Sequence, residues 1–305
     1  MAVQFPPLGL GTAPFQNIDP AVAEAQAVAT VQAALEHGIR LIDTAPLYGA
    51  GNSERFVGIA LRGVPRESYL LSTKVGRLVL PDGDVVFDYS ADGIRRSLEE
   101  SLVRLGLDRV DILHLHDPDD FEREALEVAY PVLDDLRRQG MIGAVGAGMN
   151  QWEMLDRFAA SADFDCFLLA GRYTLLEQGS LGFLERCRER GIAIMLGGVF
   201  NSGILAGGSA SGATHNYTTP PPEVLAKVAR IEDVCQRHGV ALPAAALQFA
   251  RANPAITTLL FGARSPQEVT TNLQLLEAII PAAFWEELQA EGLLDAAAPT
   301  PGLRA

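Results

Sequence analysis

Short apolar runs alternate with amphipathic or alanine-rich stretches along this chain, and no other feature restricts its fold so strongly. The apolar runs fall at residues 8–11, 41–43, 69–74, 110–116, 142–146, 167–170, 192–196 and 257–261. Helical patterns cover residues 21–36, 53–61, 91–105, 122–139, 151–160, 182–190, 223–238, 243–253, 265–276 and 281–294. Gly38, Gly106 and Gly140 stand where helices stop. An insertion at residues 76–88 and a Gly/Ser/Thr/Pro-rich loop at residues 207–222 interrupt the rhythm. Eight strands alternating with helices in 305 residues predict an α/β fold, a single (β/α)8 (TIM) barrel domain spanning residues 1–305. A doubly wound open sheet is the alternative and needs a glycine-rich turn after its first strand. Leu8-Gly9-Leu10-Gly11-Thr12-Ala13-Pro14 lacks the third glycine and carries a proline instead.

Three of the predicted strands deliver a polar residue at or near their carboxyl ends, where barrel active sites are built. They supply Asp43, Lys74 and His116, and the loop after Asp43 presents Tyr48. Taken singly, each has an ordinary structural explanation: a loop cap, a packed ring, a histidine bonded to backbone. Together and in this order they describe proton-transfer chemistry. Free tyrosine titrates near pH ~10 and is a poor acid or base at neutrality. A lysine ammonium beside the phenol favours its ionised form, Asp43 would keep that lysine charged, and His116 would hydrogen-bond a substrate oxygen. Such a tyrosine exchanges a proton with an alcohol or carbonyl oxygen, and the adjacent carbon then needs a hydride carrier. His114, two residues before His116, reads as a core partner.

Composition narrows the partners. A formal charge of −14 disfavours nucleic acid, whose phosphates require a basic surface. No apolar run reaches the roughly 18 residues needed to span a bilayer. The first residues lack a basic region followed by an apolar stretch, so no signal peptide is expected. Cys166, Cys187 and Cys235 are odd in number and widely spaced, which predicts neither a disulfide framework nor a metal cluster and suggests a reducing cytoplasm.

Four segments carry a family resemblance: "GIRLIDTAPLYGAGNSE" (residues 38–54), "LLSTKVGR" (70–77), "SLVRLGLDRVDILHLHDP" (101–118) and "GARSPQEVTTNL" (262–273). The chain resembles the aldo-keto reductases over nearly its whole length. The resemblance implies Tyr48 as proton donor or acceptor, Lys74 and Asp43 as the groups that tune it, and His116 as the group that orients the substrate oxygen. It also implies a nicotinamide dinucleotide held at the barrel's C-terminal mouth without a Rossmann fold. The family's usual Gly-Val-Ser-Asn segment is here Gly146-Ala147-Gly148-Met149-Asn150, so that Asn150 is left to hold the carboxamide. The usual glutamine after strand six is Ala170, and the tyrosine after strand seven falls at Gly197.

"GGVFNSGILAG" (residues 197–207), the "HNY" at residues 215–217 and "HDP" at residues 116–118 resemble the aldose 1-dehydrogenase branch, the L-fucose and D-threo-aldose type. That branch implies oxidation of an aldose at C1 to a lactone. It implies a pyrophosphate held by Asn201, Ser202 and Gly203, with Leu205 also at the cofactor, and a sugar surrounded by Phe15, Gln16, Leu47, Asp117 and Trp152. Relatives that use NADP carry a lysine and an arginine where this chain has Gly262 and Glu268. Arg264 and Ser265 remain available for a phosphate and Asn272 for the adenine, so either NAD or NADP is admissible and NAD is weakly favoured. Pyridoxal oxidation, general aldehyde reduction and a non-catalytic nucleotide-sensing subunit are the competing readings.

Overall fold

The computed structural model describes residues 3–80, 83–210, 212 and 214–302. Parts of the expected N-terminus, insertion, long loop and C-terminal tail therefore lie outside the described residues. The strands are β1 (Leu8–Gly11), β2 (Leu41–Asp43), β3 (Leu70–Val75), β4 (Arg77–Val79) and β5 (Val85–Phe87), followed by β6 (Ile112–His116), β7 (Ala144–Met149), β8 (Cys166–Ala170), β9 (Ala193–Gly197) and β10 (Ile256–Gly262). Eight of them form a closed parallel barrel in the order β1-β10-β9-β8-β7-β6-β3-β2, while β4 and β5 form a separate antiparallel hairpin.

Strands of a parallel barrel are covered on both faces, which is why they are nearly continuous apolar runs. Alternate side chains divide between two cores. Leu113, Leu115, Val145 and Ala147 face the surrounding helices and belong to the large outer core. Leu41, Ile112, Ala144, Cys166, Leu168, Met195 and Leu260 form a second cluster inside the barrel, with Val3 and Phe5 packed against it. Lys74 pairs in register with His114, and His114 with Gly146, so these residues share the inward face.

The expected elements are present with shifted edges. The strand expected at residues 142–146 runs instead over Ala144–Met149, because a buried strand inside a barrel tolerates the small residues that read as loop. The insertion at residues 76–88 contains the β4–β5 hairpin. The helix expected over residues 122–139 carries a π turn at Ala125–Ala129. Pro131 follows that turn and has no N–H to give to the preceding one, which loosens the ladder there. The last helix spans only Ala282–Ala290, and Gly292 adopts φ +67° just beyond it.

Candidate active site

Asp43 ends β2, and its carboxylate is held from two sides. Lys74 Nζ donates to Oδ2 at 2.7 Å and Ser72 Oγ to Oδ1 at 2.8 Å. Lys74 is 1% exposed and also donates to the backbone oxygen of Thr44 at 2.9 Å. Its ammonium lies 4.6 Å from the centroid of the Tyr48 ring, close enough for its charge to act on the phenol. The His116 ring meets Tyr48 edge-on at 6.0 Å. The four residues expected to act together are therefore in one place, at the C-terminal end of the barrel strands.

The electrostatics follow from burial. Desolvation alone would lower the Lys74 pKa, but the Asp43 carboxylate overcomes it and the lysine is held charged, above its ordinary value. Tyr48 departs from the sequence expectation: burial raises the phenol more than Lys74 lowers it, and Asp43 opposes the lysine further. Burial, then the field of Lys74, pushes His116 well below its usual range, so the imidazole is neutral. His114 is fully buried, brought down to about 3 by the same causes, and neutral too. His116 Nδ1 is buried without a partner while Nε2 lies 3.7 Å from Asp117 Oδ2. An orphaned N–H costs more than an orphaned lone pair, so the proton belongs on Nε2, at the mouth.

A buried layer that sequence reasoning missed holds the loop between Asp43 and Glu54 in place. Thr12 donates to the Asp43 backbone oxygen at 2.9 Å, and Ser53 Oγ donates to Thr12 Oγ1 at 2.7 Å. Glu54, fully buried, accepts from Thr73 Oγ1 at 2.6 Å and from Arg104 Nε at 2.6 Å. Ser53 and Glu54 lie inside the quoted motif, so the signal was present without its three-dimensional partner. Gly51 adopts φ +83°, and a Cβ there would lie 2.8 Å from Arg104 Cδ.

The residues expected around a dinucleotide lie on loops after β7, β9 and β10. Asn150 Nδ2 donates to the Ala170 backbone oxygen at 2.8 Å. Asn201 is buried, donates to the Gly171 oxygen at 3.2 Å and to Glu177 Oε1 at 3.4 Å, and keeps a buried Oδ1 that accepts nothing. Asn201, Ser202 and Gly203 are all left-handed, at φ 44°, 62° and 111°, and Leu205 is buried behind them. Ser202 is overlain by the long loop: its Oγ accepts from Tyr217 N at 3.1 Å, and its backbone oxygen from Thr214 Oγ1 at 2.9 Å. Among the described residues, the six non-glycine positions with positive φ are Ala50, Asp117, Asn201, Ser202, Asn216 and Tyr217. All of them lie on loops at this end of the barrel, where strain of this kind accompanies ligand clamps. The left-handed, glycine-bearing turn fits the close backbone approach of a dinucleotide phosphate, whereas the unpaired Asn201 Oδ1 is an acceptor for a nucleotide hydroxyl or amide and not for the phosphate itself.

After β10, Ser265 Oγ accepts from Glu268 N at 3.2 Å and so caps the helix Pro266–Glu277. Glu268 in turn engages Arg264 at both its backbone N, 2.7 Å, and its Nη2, 2.8 Å. Asn272 Nδ2 donates to the Gly262 oxygen at 3.2 Å. A Cβ on Gly262 would come within 2.6 Å of Pro14 Cγ, so the N-terminal loop occupies the space a side chain would take.

Of the residues expected around a sugar, Leu47 and Gln16 flank the catalytic loop, Gln16 packing against Gly49. Asp117 adopts φ +46° and pairs with Arg77 at 2.5 Å. Burial raises the Asp117 pKa more than Arg77 lowers it. Trp152 opens the helix Trp152–Ser161, half-buried, with Phe183 at 6.5 Å between ring centroids. Phe15 differs from expectation: it is 3% exposed and belongs to the outer core, because the short Ala13–Asn17 turn folds its apolar residue inward.

The sequence pattern of the Aldo/keto reductase family matches residues 7–291. The chain is 38% identical to a pyridoxal 4-dehydrogenase from Microbacterium luteolum, over 94% of both chains. It is also 38% identical to a D-threo-aldose 1-dehydrogenase from Pseudomonas sp, over 97% of this chain and 95% of that one. An aldo-keto reductase from Bacillus halodurans, solved in its holo form, superposes with a TM-score of 0.76 at 25% identity and covers 95% of this chain and 93% of its own. With the barrel and the Asp43–Tyr48–Lys74–His116 cluster in view, these matches are decisive, and the chain belongs to the aldo/keto reductase family.

Proposed function

We propose that this oxidoreductase is an aldose 1-dehydrogenase that oxidises the C1 hydroxyl of a pyranose to the lactone with a nicotinamide dinucleotide. The observation that carries the reading is the buried Asp43–Lys74 pair set against the Tyr48 phenol, with a neutral imidazole alongside. When bound, the nicotinamide supplies the acceptor for the hydride that leaves C1. Tyr48 takes the proton from the C1 hydroxyl as the carbonyl forms. Lys74 stabilises the phenolate that does so, and Asp43 offsets the cost of burying that ammonium. His116, protonated on Nε2, donates to the same substrate oxygen and holds it within reach of the phenol.

Asn201, Ser202 and Gly203 would hold the pyrophosphate, with Leu205 packed behind them, Asn150 at the carboxamide and Asn272 near the adenine. NAD is favoured over NADP for two reasons. Pro14 stands where a cation at position 262 would be, and Glu268 already occupies the Arg264 guanidinium. Leu47, Gln16, Asp117 and Trp152 would line the sugar site.

The test is the initial rate of nicotinamide reduction, with NAD and NADP compared, across L-fucose, L-galactose, D-arabinose and L-xylose beside pyridoxal and simple alcohols. Turnover of a subset of the sugars supports the reading. Turnover of pyridoxal alone, the activity in the name of one 38%-identical relative, would keep the tetrad and replace the substrate. Nucleotide binding without turnover of any substrate would point to a sensing subunit.

A further inference from the structure

Gly76 turns the chain out of β3 at φ +96°, and the β4–β5 hairpin that follows begins with Arg77. A Cβ at Gly76 would lie 2.2 Å from the Tyr89 ring, which packs into that turn and donates its hydroxyl to the His116 backbone oxygen at 2.5 Å. The hairpin is thus tied to the catalytic histidine. Arg77 Nη1 reaches Asp117 Oδ2 at 2.5 Å, with its guanidinium carbon 5.1 Å from the centroid of Phe87. The same carboxylate oxygen lies 3.7 Å from His116 Nε2. Among the described residues, Asp117 Oδ1 accepts no hydrogen bond and Arg77 Nη2 donates none. The pair therefore keeps one acceptor and one donor for a ligand, and its Oδ2 lies next to the nitrogen that would hold the reacting oxygen.

We propose that Arg77 is a specificity-determining residue: with Asp117 it forms a donor–acceptor pair that binds the hydroxyl on the carbon next to the reacting one. The inference rests on the sugar-oxidising reading. Oxygens on adjacent carbons are separated by about the reach between the His116 and Asp117 groups, so an aldose would present O1 to His116 and Tyr48 and O2 to the pair. Arg77 also favours the ionised, accepting form of Asp117 against the burial that opposes it, and opposes its swing towards His116. A site built to hydrogen-bond a hydroxyl discriminates against substrates that lack it, because its own polar groups are then left unpaired.

The experiment compares kcat/KM for two pairs, D-arabinose with 2-deoxy-D-ribose and L-fucose with 2-deoxy-L-fucose, in the wild-type enzyme and in Arg77→Met and Arg77→Lys. A hydrogen bond to a charged group corresponds to about 10- to 100-fold in preference for the 2-hydroxylated sugar. Arg77→Met should narrow that preference at least fivefold, through KM, and Arg77→Lys should restore part of it. Nucleotide binding, read by quenching of protein fluorescence, reports whether each variant is folded. Equal losses on both members of a pair, or an unchanged ratio, would overturn the inference while leaving the sugar-oxidising reading intact. If the wild-type enzyme turns over no aldose, that reading fails and the inference falls with it.

Discussion

Lys74 is the residue on which the site's chemistry depends. It donates to Asp43 and to the Thr44 backbone oxygen and lies 4.6 Å from the centroid of the Tyr48 ring, so one buried ammonium ties the loop after β2 to the proposed acid–base group. Burial keeps the phenol protonated above its ordinary value near 10. The sign of the pH dependence follows. Oxidation uses the phenolate, so its rate should climb with pH through the whole range in which the protein stays folded. Carbonyl reduction uses the phenol and should be flat across neutrality. Tyr48→Phe should lower the rate by about 10²–10⁴-fold, the usual contribution of a positioned proton donor or acceptor. Its nucleotide affinity, measured by fluorescence titration, should stay within a small factor of wild type. A Tyr48→Phe enzyme turning over at normal rates would exclude the tyrosine as the proton-transfer group.

At the scale of elements, the barrel interior is shaped by which strands carry side chains inward and which carry glycine. His114 on β6 is a large group deep in the barrel, and its neighbour in register on β7 is Gly146. A Cβ at Gly146 would lie 2.2 Å from His114 Nδ1 and 2.9 Å from the backbone oxygen of Cys166. Gly146→Ala should therefore destabilise the protein by about 1–3 kcal/mol, the cost of overpacking a close-packed core. Because the nearest atom belongs to the imidazole, His114→Ala in the same chain should recover a measurable part of that loss. Urea unfolding of the two single variants and the double variant gives the coupling directly. Additive effects would mean that the backbone of β8, not His114, sets the limit.

At the scale of the whole molecule, closure of the barrel brings β1 against β10, its first and last strands in sequence. That contact sets the loop holding Pro14 over Gly262, where the adenosine end of a dinucleotide would rest. The proposed preference for NAD would therefore rest on residues far apart in sequence, Pro14 and Gly262. Glu268→Arg would release the Arg264 guanidinium and place a second cation beside it. The ratio of kcat/KM for NADP to that for NAD should rise by about tenfold or more, the worth of a charge-assisted contact to phosphate. An unchanged ratio would mean that Glu268 does not face the ribose.

The alternation of strand and helix, the barrel and the acid–base cluster were all legible in the linear chain. Each depends on local rules: apolar runs the length of a strand, glycine stops after helices, polar residues at strand ends. The roles proposed for Asp43, Tyr48, Lys74 and His116 rest on residue type and order, and their spatial proximity follows from the barrel itself. What the chain could not reveal by itself was every property that depends on which atoms come within contact distance. Phe15 reads as a sugar contact until folding buries it in the outer core. Glu54 and Arg104 are far apart in sequence until two helices bring them together. The Tyr48 phenol is expected to be drawn down by its lysine, yet desolvation, a property of the packed environment, outweighs that charge. Arg77 reads as one more residue of an insertion until the hairpin carries it to Asp117. Pattern and residue type are written in the chain, whereas distance and burial arise only when remote segments pack.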